Sequence, residues 1–129
     1  MGDAKFIQTP RNDGGKATVA NTNLDGSGTI TNIITCNNPN GFRIDRIKFM
    51  CAGTTAANQL RIYLVSESDK RLIHAVSFPA STPTATTTLP QSFDWVLSPP
   101  IILEEGYSIA FAPAVAAPIH ASVLSGGEL

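Results

Sequence analysis

Between positions 58 and 78 the chain alternates apolar and polar residues with a period of two, on both sides of a polar turn. Leu60, Ile62 and Leu64 alternate with Arg61 and Tyr63, SESDK follows at 66–70, and Leu72, His74, Val76 and Phe78 return. Successive side chains of a strand point to opposite faces, so this pattern dictates a half-buried β-hairpin. The same signal recurs along the chain. TITNIITC at 29–36 is rich in the β-branched residues that suit a pleated sheet. In FRIDRIKFMC at 42–51, Ile47, Phe49 and Cys51 share one face while Arg46 and Lys48 point the other way. Ile44 is out of phase with that set, and a bulge near Asp45 and Arg46 would restore the register. Phe93, Trp95 and Leu97 alternate next, 101–103 gives a short strand, Tyr107, Ile109 and Phe111 another, and 119–124 the last.

Between these segments stand turn signals. CNNPNG at 36–41 combines a fixed φ at Pro39 with Asn40-Gly41, which accepts positive φ. AGTTAAN at 52–58, SPP at 98–100 and EEG at 104–106 punctuate the rest, and SPP reads as a break between two strands. About eight strands with turns every eight to twelve residues predict an all-β fold, an antiparallel β-sandwich of jelly-roll type. The alanine-rich stretch at 110–121 is the best helix candidate, but Pro113 and Pro118 interrupt it.

A chain of 129 residues has room for one domain. Residues 29–129 carry the strand pattern and form the expected sandwich. Residues 1–28 differ: they are rich in Gly, Asn and Asp, and read as an extended N-terminal arm with at most a short strand near 17–20. Two readings of the arm stand side by side, a frayed terminus and a segment that orders on a neighbouring subunit. In the second, Phe6 and Ile7 are the anchor and Lys5, Arg11 and Lys16 the polar contacts. The Pro/Thr/Ser-rich stretch at 79–92 is a long surface connection whose prolines exclude a central strand.

The net charge is −1, from nine Lys and Arg against ten Asp and Glu. No strongly basic surface is expected, and nucleic acid is a poor partner for such a chain. No segment has the roughly 20 apolar residues of a membrane helix. MGDAKFIQTP lacks a signal-peptide core, so no membrane association and synthesis in a cytoplasm are expected. Cys36 and Cys51 are then two small buried hydrophobes, with a cross-strand disulfide as the alternative.

Catalytic and cofactor signatures are missing from the sequence. His74 and His120 each lie in a predicted strand with no carboxylate or cysteine at ligand spacing. Glu67 with Asp69, and Glu104 with Glu105, fall in turns that favour solvated charge. There is no GxSxG elbow, no phosphate loop and no dinucleotide fingerprint, and LDGSG at 24–28 shares only the first positions of a calcium loop. The chain is expected not to be an enzyme and to bind no metal or cofactor. Trp95 or Tyr107 could offer a stacking face to a sugar, but both alternate with their neighbours as core aromatics do. Phe49, Phe78, Trp95 and Phe111 are the expected core aromatics.

RIDRIKFMCAGTTAANQLRIYLVSESDKRLIHAVSF, together with the ending ILEEGYSIAFAPAVAAPIHASVLSGGEL, resembles small virion structural proteins of tailed bacteriophages. The resemblance covers residues 29–129 and is closest to jelly-roll capsid decoration, or cement, proteins. It implies a homo-oligomer, a dimer or trimer, that binds the major capsid protein on the outer lattice and stabilises the shell. It also implies a virion location at the capsid surface after synthesis in the host cytoplasm. A tail, baseplate or head-fibre component and a carbohydrate-binding β-sandwich module are the competing readings.

Overall fold

The structure, a computed structural model, describes residues 7–129. Among them are nine strands and no helix: β1 (Thr9–Pro10), β2 (Gly14–Ala17), β3 (Thr31–Thr35), β4 (Phe42–Cys51), β5 (Asn58–Ser66), β6 (Asp69–Phe78), β7 (Ser92–Leu103), β8 (Tyr107–Pro113) and β9 (Ile119–Glu128). They form two antiparallel sheets packed as a β-sandwich. In the first sheet β9 lies between the short strands β1 and β2 on one side and β4 on the other, and β7 is the far edge. The second sheet runs β3, β8, β5, β6. The pairings are nested: β5 pairs with β6, β4 with β7, β3 with β8 and β2 with β9.

β4 shows how the sequence sets the core. Its pairing with both neighbours shifts register between Ile44 and Arg46, at the position the phase change demands. Without that bulge a one-residue slip would turn Ile47, Phe49 and Cys51 to the wrong face. With it, Ile44, Ile47, Phe49 and Cys51 are all fully buried. They meet Ile34, Leu60, Ile62, Ile109 and Phe111 from the second sheet, with Ile119 and Val123 beside them on β9. Each large apolar side chain buried in this way contributes about 1.5–3 kcal/mol.

Three features differ from the strand reading of the sequence. The stretch 92–103 is one strand rather than two. Ile44 pairs with Ile101 and Arg46 with Val96, so Leu97, Ser98, Pro99 and Pro100 stand opposite the single Asp45. Proline is tolerated there because β7 is an edge strand with no ladder on its outer side. In β6, Ile62 pairs with His74 but Tyr63 with Leu72, so Ile73 is a bulge. Leu72 therefore leaves the inward set and is 40% exposed. The hairpin turn itself is two residues, Glu67 and Ser68, with Glu67 at a φ of 54°.

The third difference is the arm. From Gln8 onward it is part of the sandwich, and its strand lies at Gly14–Ala17 rather than near 17–20. Thr9 pairs with Glu128 and Gly14 with Ser122, so β1 and β2 cap the edge of β9 within the same chain. The signal was masked because the glycines that weaken strand propensity are required by close packing. A Cβ at Gly14 would overlap the Ala121 carbonyl, and one at Gly15 would press on the Asn32 carbonyl of β3. That contact closes one side of the sandwich. On the other side, the edge strands β6 and β7 both remain unpaired along their outer backbones among the described residues.

Candidate interaction surface

The outer faces of the two sheets are finished differently. On the second sheet, Arg61 and Tyr63 of β5 and Ala110 and Ala112 of β8 point away from the core, yet all four are buried. The loop at 18–30 accounts for this. Asn21, itself buried, donates from Nδ2 to the carbonyls of Ser27 (2.9 Å) and Thr29 (2.8 Å), and from its backbone N–H to the Pro113 carbonyl (2.8 Å). The Tyr63 hydroxyl donates to the Asn23 carbonyl at 2.9 Å, and Arg61 Nη1 donates to the Asn21 carbonyl at 3.0 Å. Burial pushes the Tyr63 hydroxyl above its ordinary pKa. Gly28, at a φ of +83°, lies so close to the Asn21 amide that a side chain would displace it. The loop is thus a fastened cover.

The first sheet has no such cover among the described residues. Ladder pairing sets its outward side chains in rows. Lys16, His120, Met50 and Ser92 form one; Ser122, Lys48 and Asp94 form the next; Arg46 and Val96 lie beyond, beside Leu124. Lys16, Ser92, Asp94, Ser122, Val96 and Leu124 are exposed, and Arg46, Lys48, Met50 and His120 are half-buried by their neighbours. A shallow hollow of about 450 Å³ opens among Lys48, Met50, His120, Ser122 and Leu124. Arg46 is paired with Asp94 at 2.6 Å, which raises the guanidinium pKa and lowers that of the carboxyl. Three cations against one carboxylate make this face basic although the whole chain carries −1. The outward phase of Arg46 and Lys48 was readable from the sequence. Their meeting with Lys16, His120 and Leu124 was not, because it depends on which strands become neighbours.

The residues singled out in the arm divide. Lys5 and Phe6 lie outside the described residues. Ile7 is half-buried and lies against the position of Gly127. Arg11 is engaged within its own chain. It pairs with Asp13 and with Glu128 (3.2 Å), and its guanidinium carbon lies 5.3 Å from the Phe42 ring centre. Lys16 remains exposed, on the basic face.

Of the expected core aromatics, Phe49, Phe78 and Phe111 are buried. Trp95 is half-buried, because β7 is an edge strand, and one face of its indole is covered by the imidazole of His74. That removes a stacking face a sugar would use. Tyr107 is half-buried beside the core. The loop at 79–91 is mostly exposed, with Leu89 83% accessible. It is organised at one end by a bridge between Thr55 and Ser81, and at its tip by the Thr84 hydroxyl accepting from the N–H groups of Thr87 and Thr88.

Cys36 and Cys51 are free and buried, with their thiols directed to the carbonyls of Asn38 and Gly53. Glu67, Glu104 and Glu105 are exposed at or beside turns, and Asp69 is exposed at the start of β6. Among the described residues no three His, Cys, Asp or Glu side chains gather as a metal-holding group, and no helix is long and apolar enough to cross a membrane. Compared with known proteins, the chain matches no family model and no curated protein.

Proposed function

We propose that this protein is a structural component of a tailed-phage virion that binds the outer capsid lattice and stabilises the shell, as a decoration or cement protein. The observation that carries the reading furthest beyond resemblance is the asymmetry of the sandwich. One outer face is partly covered by the chain's own loop at 18–30, while the other, among the described residues, is an uncovered sheet carrying Lys16, Arg46, Lys48, Met50, His120 and Leu124. Apolar side chains set among like charges suit a surface that docks on a protein of complementary charge. The nested strand pairing supports a jelly-roll reading of the sandwich, in keeping with the resemblance. The arm is engaged within its own chain from Gln8 onward, which shifts the expected contacts from the arm to the sheet face. Binding in many copies, as a dimer or trimer, would let modest individual contacts with the major capsid protein hold the shell.

The test is add-back. Purified protein is mixed with capsids assembled without it, sedimented, and the bound fraction measured. The expected result is saturable binding that weakens with salt and falls at least tenfold in a folded Lys16→Glu/Lys48→Glu variant. No binding to such capsids, or undiminished binding by that variant, overturns the proposal.

A further inference from the structure

Arg61 is an outward-facing cation that the fold has taken almost wholly out of water. It is 9% exposed, and no carboxylate lies within ion-pairing distance among the described residues. Its guanidinium has five N–H donors. Nη1 is met by the Asn21 carbonyl and Nη2 by the Gln59 amide oxygen (3.0 Å), both neutral, and buried Nε has no partner. A charge held this far from solvent without a counter-charge is costly, and the cost is relieved when an anion docks beside it. Other titratable groups lack this combination. Arg11, Arg46 and Arg71 each have a carboxylate, and the exposed turn acids are solvated.

A hollow of about 360 Å³ lies beside Arg61. Arg61, Gln59 and Ser77 line it on the polar side, and Phe78, Ala114 and Val115 on the apolar side. The walls are fixed. Asn58 holds Val115 by both backbone groups at 2.9 Å, and Ala114 donates its N–H to the Gln59 carbonyl at 2.8 Å. Unspent Nη2 hydrogen, the Gln59 amide nitrogen and the Ser77 hydroxyl are donors without an acceptor of their own, which is the complement of a carboxylate. Alongside them the apolar wall takes a short hydrocarbon portion.

We propose that this hollow is a binding site for a small organic carboxylate, with Arg61 as the charge that recognises it. It lies on the covered sheet, away from the basic face, so it stands or falls independently of capsid binding.

The test is thermal unfolding of the intact protein in propionate and in chloride at matched ionic strength. A ligand that binds only the folded state raises Tm with its concentration. Propionate is expected to raise Tm by ~4 °C or more near saturation, with no comparable shift in chloride. Gln59→Glu serves as the second variant, because position 59 is exposed and the change places a carboxylate on Arg61 Nη2 from within. It is expected to fold, to start from a higher Tm and to lose the response to propionate. No propionate shift in the unmodified protein, or an equal shift in Gln59→Glu, overturns the proposal.

Discussion

The imidazole of His74 lies parallel to the indole of Trp95, with ring centroids 4.9 Å apart and planes within 3° of each other. The two residues belong to different sheets, on the edge strands β6 and β7. Phe93 also lies 5.9 Å from the His74 ring, and the contacts continue from Phe93 to Phe49 (6.2 Å) and then edge-on to Phe111 (5.6 Å). This file of rings closes the side of the sandwich that β2 and β3 do not. A double-mutant cycle with His74→Ala and Trp95→Ala is expected to show a coupling of about 0.5–1.5 kcal/mol in denaturant unfolding. Additive single effects would mean that the rings merely lie near each other.

The arm contributes stability within its own chain. Arg11→Ala removes the contacts to Asp13, Glu128 and the Phe42 ring, and is expected to cost about 1–2 kcal/mol. Deleting residues 1–17 uncovers β9 and is expected to cost at least ~2 kcal/mol, read from the urea midpoint. A truncated protein with an unchanged midpoint would return the arm to the role of a loose appendage.

Asn58 fastens the chain between β8 and β9. Its side chain accepts from the Val115 N–H and donates to the Val115 carbonyl and the Thr55 hydroxyl. Asn58→Ala leaves the Val115 backbone groups and the Thr55 hydroxyl without this partner and is expected to cost about 1–3 kcal/mol. A change below about 0.5 kcal/mol would show that water or a relaxed loop replaces the amide.

Asp94 reports on the basic face. The hydrogen bond from Arg46 holds its carboxyl below the ordinary value of 3.8. Because the folded-state pKa is depressed, the contribution of the pair is present above about pH 3.8 and is lost as the pH falls through the folded value. A side-chain NMR titration is expected to place the midpoint below 3.8, and Arg46→Ala to move it back toward 3.8. A midpoint at or above 3.8 in the unmodified protein would mean that the pair does not persist in solution.

Much of the sandwich was legible because alternation reports which way each side chain points. The β5–β6 hairpin and the bulge after Ile44 followed from phase alone. Alternation does not report what later covers an outward residue. Arg61 and Tyr63 read as solvent-facing and are buried, because a loop some forty residues earlier in the chain folds over them. Composition misled in two places. Glycine in the arm signalled a loop where close backbone packing needed it, and the prolines at 99 and 100 signalled a break where an edge strand could absorb them. The basic face was hidden for another reason. Lys16, Lys48 and His120 are far apart in sequence and meet only through the pairing of β2, β9 and β4.

The most direct measurement is the position of this protein in an assembled particle, by electron cryomicroscopy of virions with and without it. The account predicts difference density repeated over the outer capsid lattice, with the face bearing Lys16, Lys48 and Leu124 turned toward the major capsid protein. Density confined to the tail, baseplate or a head fibre, or no density in the particle, would contradict it.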